Sequence, residues 1–276
     1  EDDARELIEE YNDRVEEQEK SVKVFCPTGL GGGVDPTCKP GSSGSSNVKT
    51  LTNDAIKSTS DLGGGVNESY IIAYSENTGE SKRGVFKPTS GDSSFYKAFP
   101  SGTGAAREVA AYEVDKAMGL GLVPETVMAD VEWGGIGSLQ NFVNNTAVTA
   151  IEHLSTHVDQ LPLEDPFDQV TNLGDMLYFD ALIGNADRHQ GNWLIKDNKD
   201  YIEPTSFGSS ISMRTLEGDK FTKYRAVRPM SIEFKSGLNH MLASKTSVDG
   251  KLKGAGLTDG ERESFWRRAE YMNKLP

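Results

Sequence analysis

Cysteine is scarce in this sequence, and long apolar runs are absent from it. The two cysteines, Cys26 and Cys38, have neither a histidine nor a further cysteine nearby, so they do not form a zinc ligand set. Their spacing leaves a short-loop disulfide open without establishing one. No stretch approaches the roughly 20 apolar residues that a membrane-spanning helix requires, and no signal-peptide pattern is present. We therefore expect no membrane span.

Basic residues are outnumbered by acidic ones. The 29 lysines and arginines stand against 42 aspartates and glutamates, which gives a net charge of −13. Nucleic-acid backbones and anionic membranes both attract basic surfaces, so this charge argues against binding either, and against a lipid substrate. Because the chain begins with Glu1 rather than Met, we expect a fragment of a longer chain or a processed product.

The most informative segment is 173–195. Residues 173–183 can place apolar side chains on one broad helix face, and Gly184 is a suitable end. After a polar loop, Trp193–Ile195 indicates a short buried strand. The polar residues of the loop are Asn185, Asp187, Arg188, His189, Gln190 and Asn192. A helix, a dense polar loop and a strand are typical of a functional loop held by a rigid scaffold.

The spacing inside this loop has a chemical interpretation. Asp187 and Asn192 are separated as in the catalytic loop of protein kinases, where an Asp accepts the hydroxyl proton and an Asn holds magnesium. The run Asp-Arg-His-x-x-Asn resembles that of phosphatidylinositol 3-/4-kinases and their atypical, bacterial and phage relatives. This resemblance implies that Asp187 is the catalytic base, that Arg188 and His189 support the loop or neutralise charge, and that Asn192 binds metal. The alternative is a surface loop whose Asp and Asn cap turns.

A glycine-rich hairpin lies earlier in the chain, where the resemblance requires a nucleotide-binding sheet. Strands are predicted at 70–74 and 83–88, with Lys87 on the second. A Gly-rich segment precedes them, and its backbone N–H groups can approach phosphates closely. Its candidate nucleotide-binding residues are Gly63, Gly64, Gly65, Asn67 and Ser69. The resemblance implies that Lys87 contacts the α- and β-phosphates. An ordinary turn and a solvated lysine are the alternatives.

A helix is predicted over 104–120, with Thr103 as its N-cap. A kinase needs an acidic residue on this helix to pair with the strand lysine. Glu108 is the first choice, because Arg-Glu-Val-Ala-Ala-Tyr is similar to this helix in phosphatidylinositol-kinase-like proteins. Glu113 is the competing choice, on a different face.

The junction between lobes is predicted after strands at 127–131 and 137–142. Backbone groups near Gln140 and Phe142 would then hydrogen-bond the adenine edge, since ligands commonly bind between lobes.

One position departs from the family pattern. The strand after the catalytic loop should end in an Asp that bridges the metals, but Ser206 stands before Phe207-Gly208. A neutral hydroxyl is a poor ligand for magnesium, which prefers charged oxygen. Three explanations of the missing Asp are open. Ser206 is an introduced substitution, or Glu203 supplies the carboxylate from the same strand. In the third, the chain is a natural pseudokinase. We expect weak or absent turnover for this exact sequence.

The N-terminal region differs in composition from the rest. Residues 2–20 indicate a charged helix, and 25–48 a Gly/Ser/Pro-rich linker whose tri-glycine lacks the Gly-Lys-Ser/Thr of a phosphate-binding P-loop. The amino-acid sequence of the linker resembles a segment of phage head-morphogenesis polypeptides. At the other end, Thr258 and Glu261 form a capping-box pattern before an amphipathic helix.

Together these features predict an α+β, two-lobed protein-kinase-like fold with a β-rich small lobe and a mostly helical large lobe. The predicted parts are a helix and linker over 1–49, a small lobe over 50–140 and a large lobe over 141–276. The implied reaction is transfer of phosphate from ATP, with Mg²⁺, to a hydroxyl of an unknown protein or small-molecule acceptor, and a protein hydroxyl is favoured over that of a lipid. The alternatives are a pseudokinase or scaffold module of a phage structural polypeptide, and an adenylyl transferase on the same fold. We expect a cytoplasmic location in a bacterial or phage-infected cell, with virion association or delivery left open.

Overall fold

The structure is a computed structural model. It describes residues 48–62, 68–76, 79–91, 103–143, 148–149, 173–185, 193–196, 199–202 and 229–276.

Six strands form a curled sheet. They are β1 (Lys49–Leu51), β2 (Ile56–Asp61), β3 (Tyr70–Ser75), β4 (Ser81–Pro88), β5 (Thr126–Val131) and β6 (Gly135–Asn141). Their order across the sheet is β1-β5-β6-β4-β3-β2, with β1 parallel to β5 and the other neighbours antiparallel. β1 and β3 are four strand spacings apart, roughly 19 Å in a flat sheet. Yet Lys49 Nζ on β1 lies 3.2 Å from the Tyr74 hydroxyl on β3, so the sheet curls until these strands face each other.

The curl encloses a small hydrophobic core. It is built from alternate residues of the strands, because successive side chains of a strand point to opposite faces. Phe86 of β4 and Ile72 of β3 are fully buried there, and Leu139 of β6 is almost so. Trp133, in the turn between β5 and β6, lies edge-on to Phe86 and closes one end of this core.

The described helices form a second body. They are α1 (Gly104–Met118), α2 (Leu173–Ile183), α3 (Ile232–Ala243), α4 (Lys245–Ala255) and α5 (Asp259–Asn273). A three-stranded antiparallel sheet of β7 (Val148–Thr149), β8 (Trp193–Lys196) and β9 (Lys199–Ile202) accompanies them. The predicted α+β class is therefore confirmed, with a β-rich part and a mostly helical part.

Helix α1 belongs to the helical body by its packing. Its apolar side chains lie in one cluster with those of α3, α4 and α5, including Val109, Val114, Phe234, Leu252 and Phe265. Gly237 of α3 crosses directly over the Met118 carbonyl at the end of α1, where an added Cβ would overlap that carbonyl.

Two ion pairs add to this attachment of α1. Arg107 pairs with Glu261 at the start of α5, and Glu113 Oε2 lies 2.9 Å from Lys251 Nζ of α4. Arg107 and Glu113 lie on different turns of α1, so the two ion pairs attach the helix at two points along its length.

Most predicted elements lie where the sequence indicated. The strands predicted at 70–74, 83–88, 127–131 and 137–142 correspond to β3, β4, β5 and β6. The capping box of α5 is present, with Glu261 N donating to Thr258 Oγ1 at 3.3 Å and Thr258 N donating to Glu261 Oε2 at 2.8 Å.

The N-cap residue of α1 is Thr103, as the sequence predicts. Its side chain, however, does not accept a hydrogen bond from the helix backbone. Its Oγ1 instead accepts from Arg107 Nε at 3.2 Å, because its backbone has a helical ψ that turns the hydroxyl away from the capping geometry.

Candidate active site

Lys87 lies on the outer face of β4, opposite the core of the curled sheet. Val85 and Lys87 share that face, while Phe86 between them points into the core, as strand alternation requires. Ile71 of β3 is the direct cross-strand neighbour of Val85. The outer face thus carries two apolar side chains followed by an ammonium group.

Glu108 approaches this ammonium from α1. Lys87 Nζ lies 2.9 Å from Glu108 Oε1, and the two side chains are 21% and 11% exposed. The pair therefore joins the sheet to the helical body in a largely desolvated position, where an ion pair is screened less than at a surface.

The competing acid, Glu113, is on another side of α1. Its partner is Lys251 on α4, at 2.9 Å. The structure thus brings Glu108, and not Glu113, to Lys87.

Ser138 is a member of this cluster that sequence reasoning missed. Lys87 and Ser138 are register partners in the paired strands β4 and β6, so their side chains emerge side by side on the same face. The Ser138 hydroxyl donates to Glu108 Oε2 and is almost completely buried. The available signal was a single hydroxyl within the strand Gly135–Asn141, which is ambiguous without the strand register.

A glycine allows the strands to pair closely at this point. A Cβ at Gly137, next to Ser138, would overlap the Lys87 carbonyl and the Phe86 ring. Glycine is therefore required for β6 to lie against β4 beside the lysine.

The predicted adenine-edge residues lie near the end of β6. Gln140 is the register partner of Val85, and its buried side chain donates to Thr126 Oγ1 at 3.4 Å. Phe142 N donates to the Arg83 carbonyl at 3.0 Å, and its ring lies under the Arg83 guanidinium at 4.1 Å. Both are close to β4, but their contact with a nucleotide remains a prediction.

The Gly-rich segment connects β2 to β3. Leu62 N donates to the Ser69 carbonyl at 2.9 Å, and this bond closes the hairpin at its base. Ser69 is the predicted site residue that the structure describes here. The others, Gly63, Gly64, Gly65 and Asn67, lie outside the described residues.

The approach to the Asp-Arg-His loop is built from a buried polar pair. Helix α2 ends at Ile183, and Gly184 adopts φ 76°, a left-handed conformation that suits glycine. Asn185 then donates its side-chain amide to Asp180 Oδ1 at 2.8 Å and its backbone N–H to the Asp180 carbonyl at 2.9 Å. Asp180 thus fixes Asn185, which precedes the Asp-Arg-His segment.

The helix end is also held from below by an arginine. Arg268 of α5 is buried and donates its Nε to the Leu182 carbonyl at 2.8 Å. Burial lowers the pKa of this guanidinium to about 10, so it stays protonated at neutral pH. A cation at a helix C-terminus is favoured by the helix dipole.

The remaining predicted residues lie outside the described part of the chain. These are Asp187, Arg188, His189 and Asn192 of the loop, and Glu203 and Ser206. The flanks of residues 186–192 are described, and the helix predicted before them and the strand predicted after them are confirmed as α2 and β8.

No metal centre or membrane helix is found in the described ranges. Among those residues, no group of three or more His, Cys, Asp or Glu side chains is arranged to hold a metal ion. Within the same ranges, no helix has the length and apolar character needed to cross a bilayer.

Comparison with known proteins gives one sequence relative and several structural ones. The Mycobacterium tuberculosis protein Rv2133c is 34% identical over 134 residues, which cover 40% of this chain and 48% of that protein. The match thus spans about half of the relative's length. No protein-family model matches the chain.

Solved kinase structures are similar in fold. The Helicobacter pylori proinflammatory kinase CtkA has a TM-score of 0.49 at 15% identity, with 82% of this chain and 94% of that chain covered. The Golgi casein kinase has a TM-score of 0.51 at 14% identity, with 79% and 70% covered. At such identities the likeness concerns fold. The chain has an α+β, two-lobed, kinase-like fold.

Proposed function

We propose that this protein is a kinase that transfers phosphate from ATP, with Mg²⁺, to a hydroxyl group. The observation that carries the proposal is the Lys87–Glu108 ion pair, which joins strand β4 to helix α1 on a kinase-like fold. Kinases use such a pair to position the nucleotide phosphates.

The outer face of the sheet suits a nucleotide. Ile71, which is half-buried, and Val85, which is buried, are register partners on this face and are proposed to contact the adenine ring. Lys87 is two residues further along β4, roughly 7 Å from Val85, and on the same face. Its side chain is partly exposed, so its ammonium can contact a phosphate oxygen while Glu108 holds it from behind.

Asp187 is proposed to accept the proton of the attacking hydroxyl. The segment that contains it begins at Asn185, which Asp180 fixes through two hydrogen bonds. A loop with a fixed start favours catalysis, because orientation of the reacting groups supplies much of the rate. Arg188 and His189 are proposed to support the loop and neutralise charge.

Magnesium, when bound, would neutralise the developing charge on the phosphates. Asn192, with Glu203 or Ser206, is proposed to hold it, and the neutral hydroxyl of Ser206 predicts slow turnover. The Asp-Arg-His-x-x-Asn run supports a place beside the phosphatidylinositol 3-/4-kinase-like group. The net charge of −13 favours a protein acceptor over a lipid in an anionic membrane.

The test uses the full chain and its Ser206→Asp variant, each with and without Lys87→Met. Binding of a non-hydrolysable ATP analogue with Mg²⁺ is measured by calorimetry. Turnover of ATP is measured as well, and the mass of any modified protein is determined by mass spectrometry. We expect the full chain and its Ser206→Asp variant to bind the analogue, and Ser206→Asp to phosphorylate faster. In the Lys87→Met variants we expect analogue binding and ATP turnover to be lost. Added adenylate instead of phosphate would identify an adenylyl transferase. Binding without turnover in either parent would identify a pseudokinase, and absence of binding in both would refute the proposal.

A further inference from the structure

We infer that Ser138 is a positioning residue for Lys87 and that it acts through Glu108. The inference rests on the proposed nucleotide-binding role of Lys87. It starts from the strand register, which sets Lys87 and Ser138 side by side on β4 and β6, facing the same carboxylate.

The carboxylate receives a donor on each oxygen. Lys87 Nζ donates to Oε1 at 2.9 Å, and the Ser138 hydroxyl donates to Oε2. Ser138 is 1% exposed and the Glu108 carboxylate is largely buried, so water does not readily replace the Ser138 hydroxyl at Oε2. Buried carboxylate oxygens require donors, and Ser138 meets this requirement for one of them.

The role of Ser138 follows from what Lys87 must do. An ammonium that contacts phosphates must keep Glu108 on one side and present its other N–H groups to the ligand. With Oε2 bound to Ser138, the carboxylate offers one oxygen to the lysine. Without Ser138, the carboxylate would turn both oxygens toward the ammonium and draw it toward α1, away from the phosphates.

Ser138 also relates α1 to the sheet. α1 is packed among the helices and paired to Glu261 through Arg107, whereas Lys87 belongs to β4. The Ser138–Glu108 hydrogen bond ties the carboxylate to the strand next to the lysine. The spacing of lysine and carboxylate is therefore set by the sheet itself as well as by the packing of the helix.

The test compares two ligands in the full chain. Dissociation constants of a non-hydrolysable Mg–ATP analogue and of adenosine, which lacks phosphates, are measured by calorimetry for the parent, Ser138→Ala and Ser138→Thr. We expect Ser138→Ala to weaken the analogue roughly tenfold, as the loss of a hydrogen bond to a charged group implies, and to leave adenosine within about twofold. Ser138→Thr keeps the hydroxyl and should restore most of the affinity.

A matched control is Ser75→Ala, a serine-to-alanine change in β3 of the same sheet, which should affect neither ligand. Thermal unfolding shows whether each variant is folded. If Ser138→Ala does not fold, Ser138→Cys takes its place, because a thiol is a weak donor of similar size. The inference is overturned, while the proposed function stands, by either of two results in Ser138→Ala. One is an equal loss of affinity for the analogue and for adenosine, and the other is an unchanged affinity for the analogue. Absence of analogue binding in both the parent and the Ser206→Asp variant overturns the inference together with the proposed function.

Discussion

Lys87 of β4 and Glu108 of α1 are joined by an ion pair of 2.9 Å between an interior strand of the sheet and a helix that packs with α3, α4 and α5. Replacing Lys87 by Met should therefore abolish nucleotide-dependent activity, with turnover falling about a hundredfold or more, as for loss of a preorganised charge donor. ATP turnover in the Ser206→Asp background measures this.

A control for that change lies in the same strand. Lys82 also pairs with a glutamate, Glu76, at 3.0 Å, but at the far end of β4. Lys82→Met should leave turnover unchanged. Equal losses in the two variants would contradict a specific role for Lys87.

Two glutamates of α1 offer a second comparison. Glu108→Gln removes the charge beside Lys87 and should lower both the affinity for the ATP analogue and the free energy of unfolding, the latter by about 1–3 kcal/mol. Glu113→Gln breaks a more exposed pair with Lys251 and should cost less than about 1 kcal/mol without affecting the ligand. Urea unfolding and calorimetry measure the two effects. A larger effect of Glu113→Gln on the analogue would show that the wrong acid has been identified.

The crossing of α3 over α1 should be intolerant of side chains. Gly237→Ala places a Cβ against the Met118 carbonyl and should destabilise the protein by about 1–3 kcal/mol, as overpacking does. Gly254→Ala on α4 meets nothing within 4 Å and should stabilise by up to about 1 kcal/mol through helix propensity. Chemical denaturation of the two variants tests the difference, and similar shifts in both would contradict the close crossing.

Asp175 should make stability depend on pH. Burial raises the pKa of its carboxyl, and the hydrogen bond from Ser231, at 2.9 Å, only partly opposes this. The folded protein thus binds this proton more tightly than the unfolded chain. The resulting stability is present below the ordinary pKa of 3.8 and is lost as the pH rises through the folded value.

The Asp175→Asn variant tests this dependence. It should be more stable than the parent at neutral pH, and the advantage should disappear as the pH falls toward about 4. Urea unfolding at both pH values measures it, with Glu263→Gln, an exposed site on α5, as the control. An advantage that grows at acid pH would contradict the sign.

The sequence predicted the elements whose signals are local. The hairpin of β3 and β4, the helix with Glu108 and the capping box at Thr258 each depend on alternation, propensity or a short motif. Ser138 was not predicted, because its role arises from the register of two strands that are distant in sequence.

There are also physical reasons why some elements were not predicted from the sequence. Helices α3 and α4 contain Gly237, Gly250 and Gly254, which lower helix propensity, and their packing against α1 compensates. Strand β2 is largely exposed and polar, so it lacks the alternation that marks a half-buried strand. The catalytic and metal roles assigned to residues 187–206 remain predictions.

The attachment of α1 has a consequence for motion. Since this helix packs with α3, α4 and α5 while Lys87 belongs to the sheet, a change in the spacing between the helix and the sheet would change the 2.9 Å contact. The ammonium–carboxylate distance would then report the spacing between the sheet and α1.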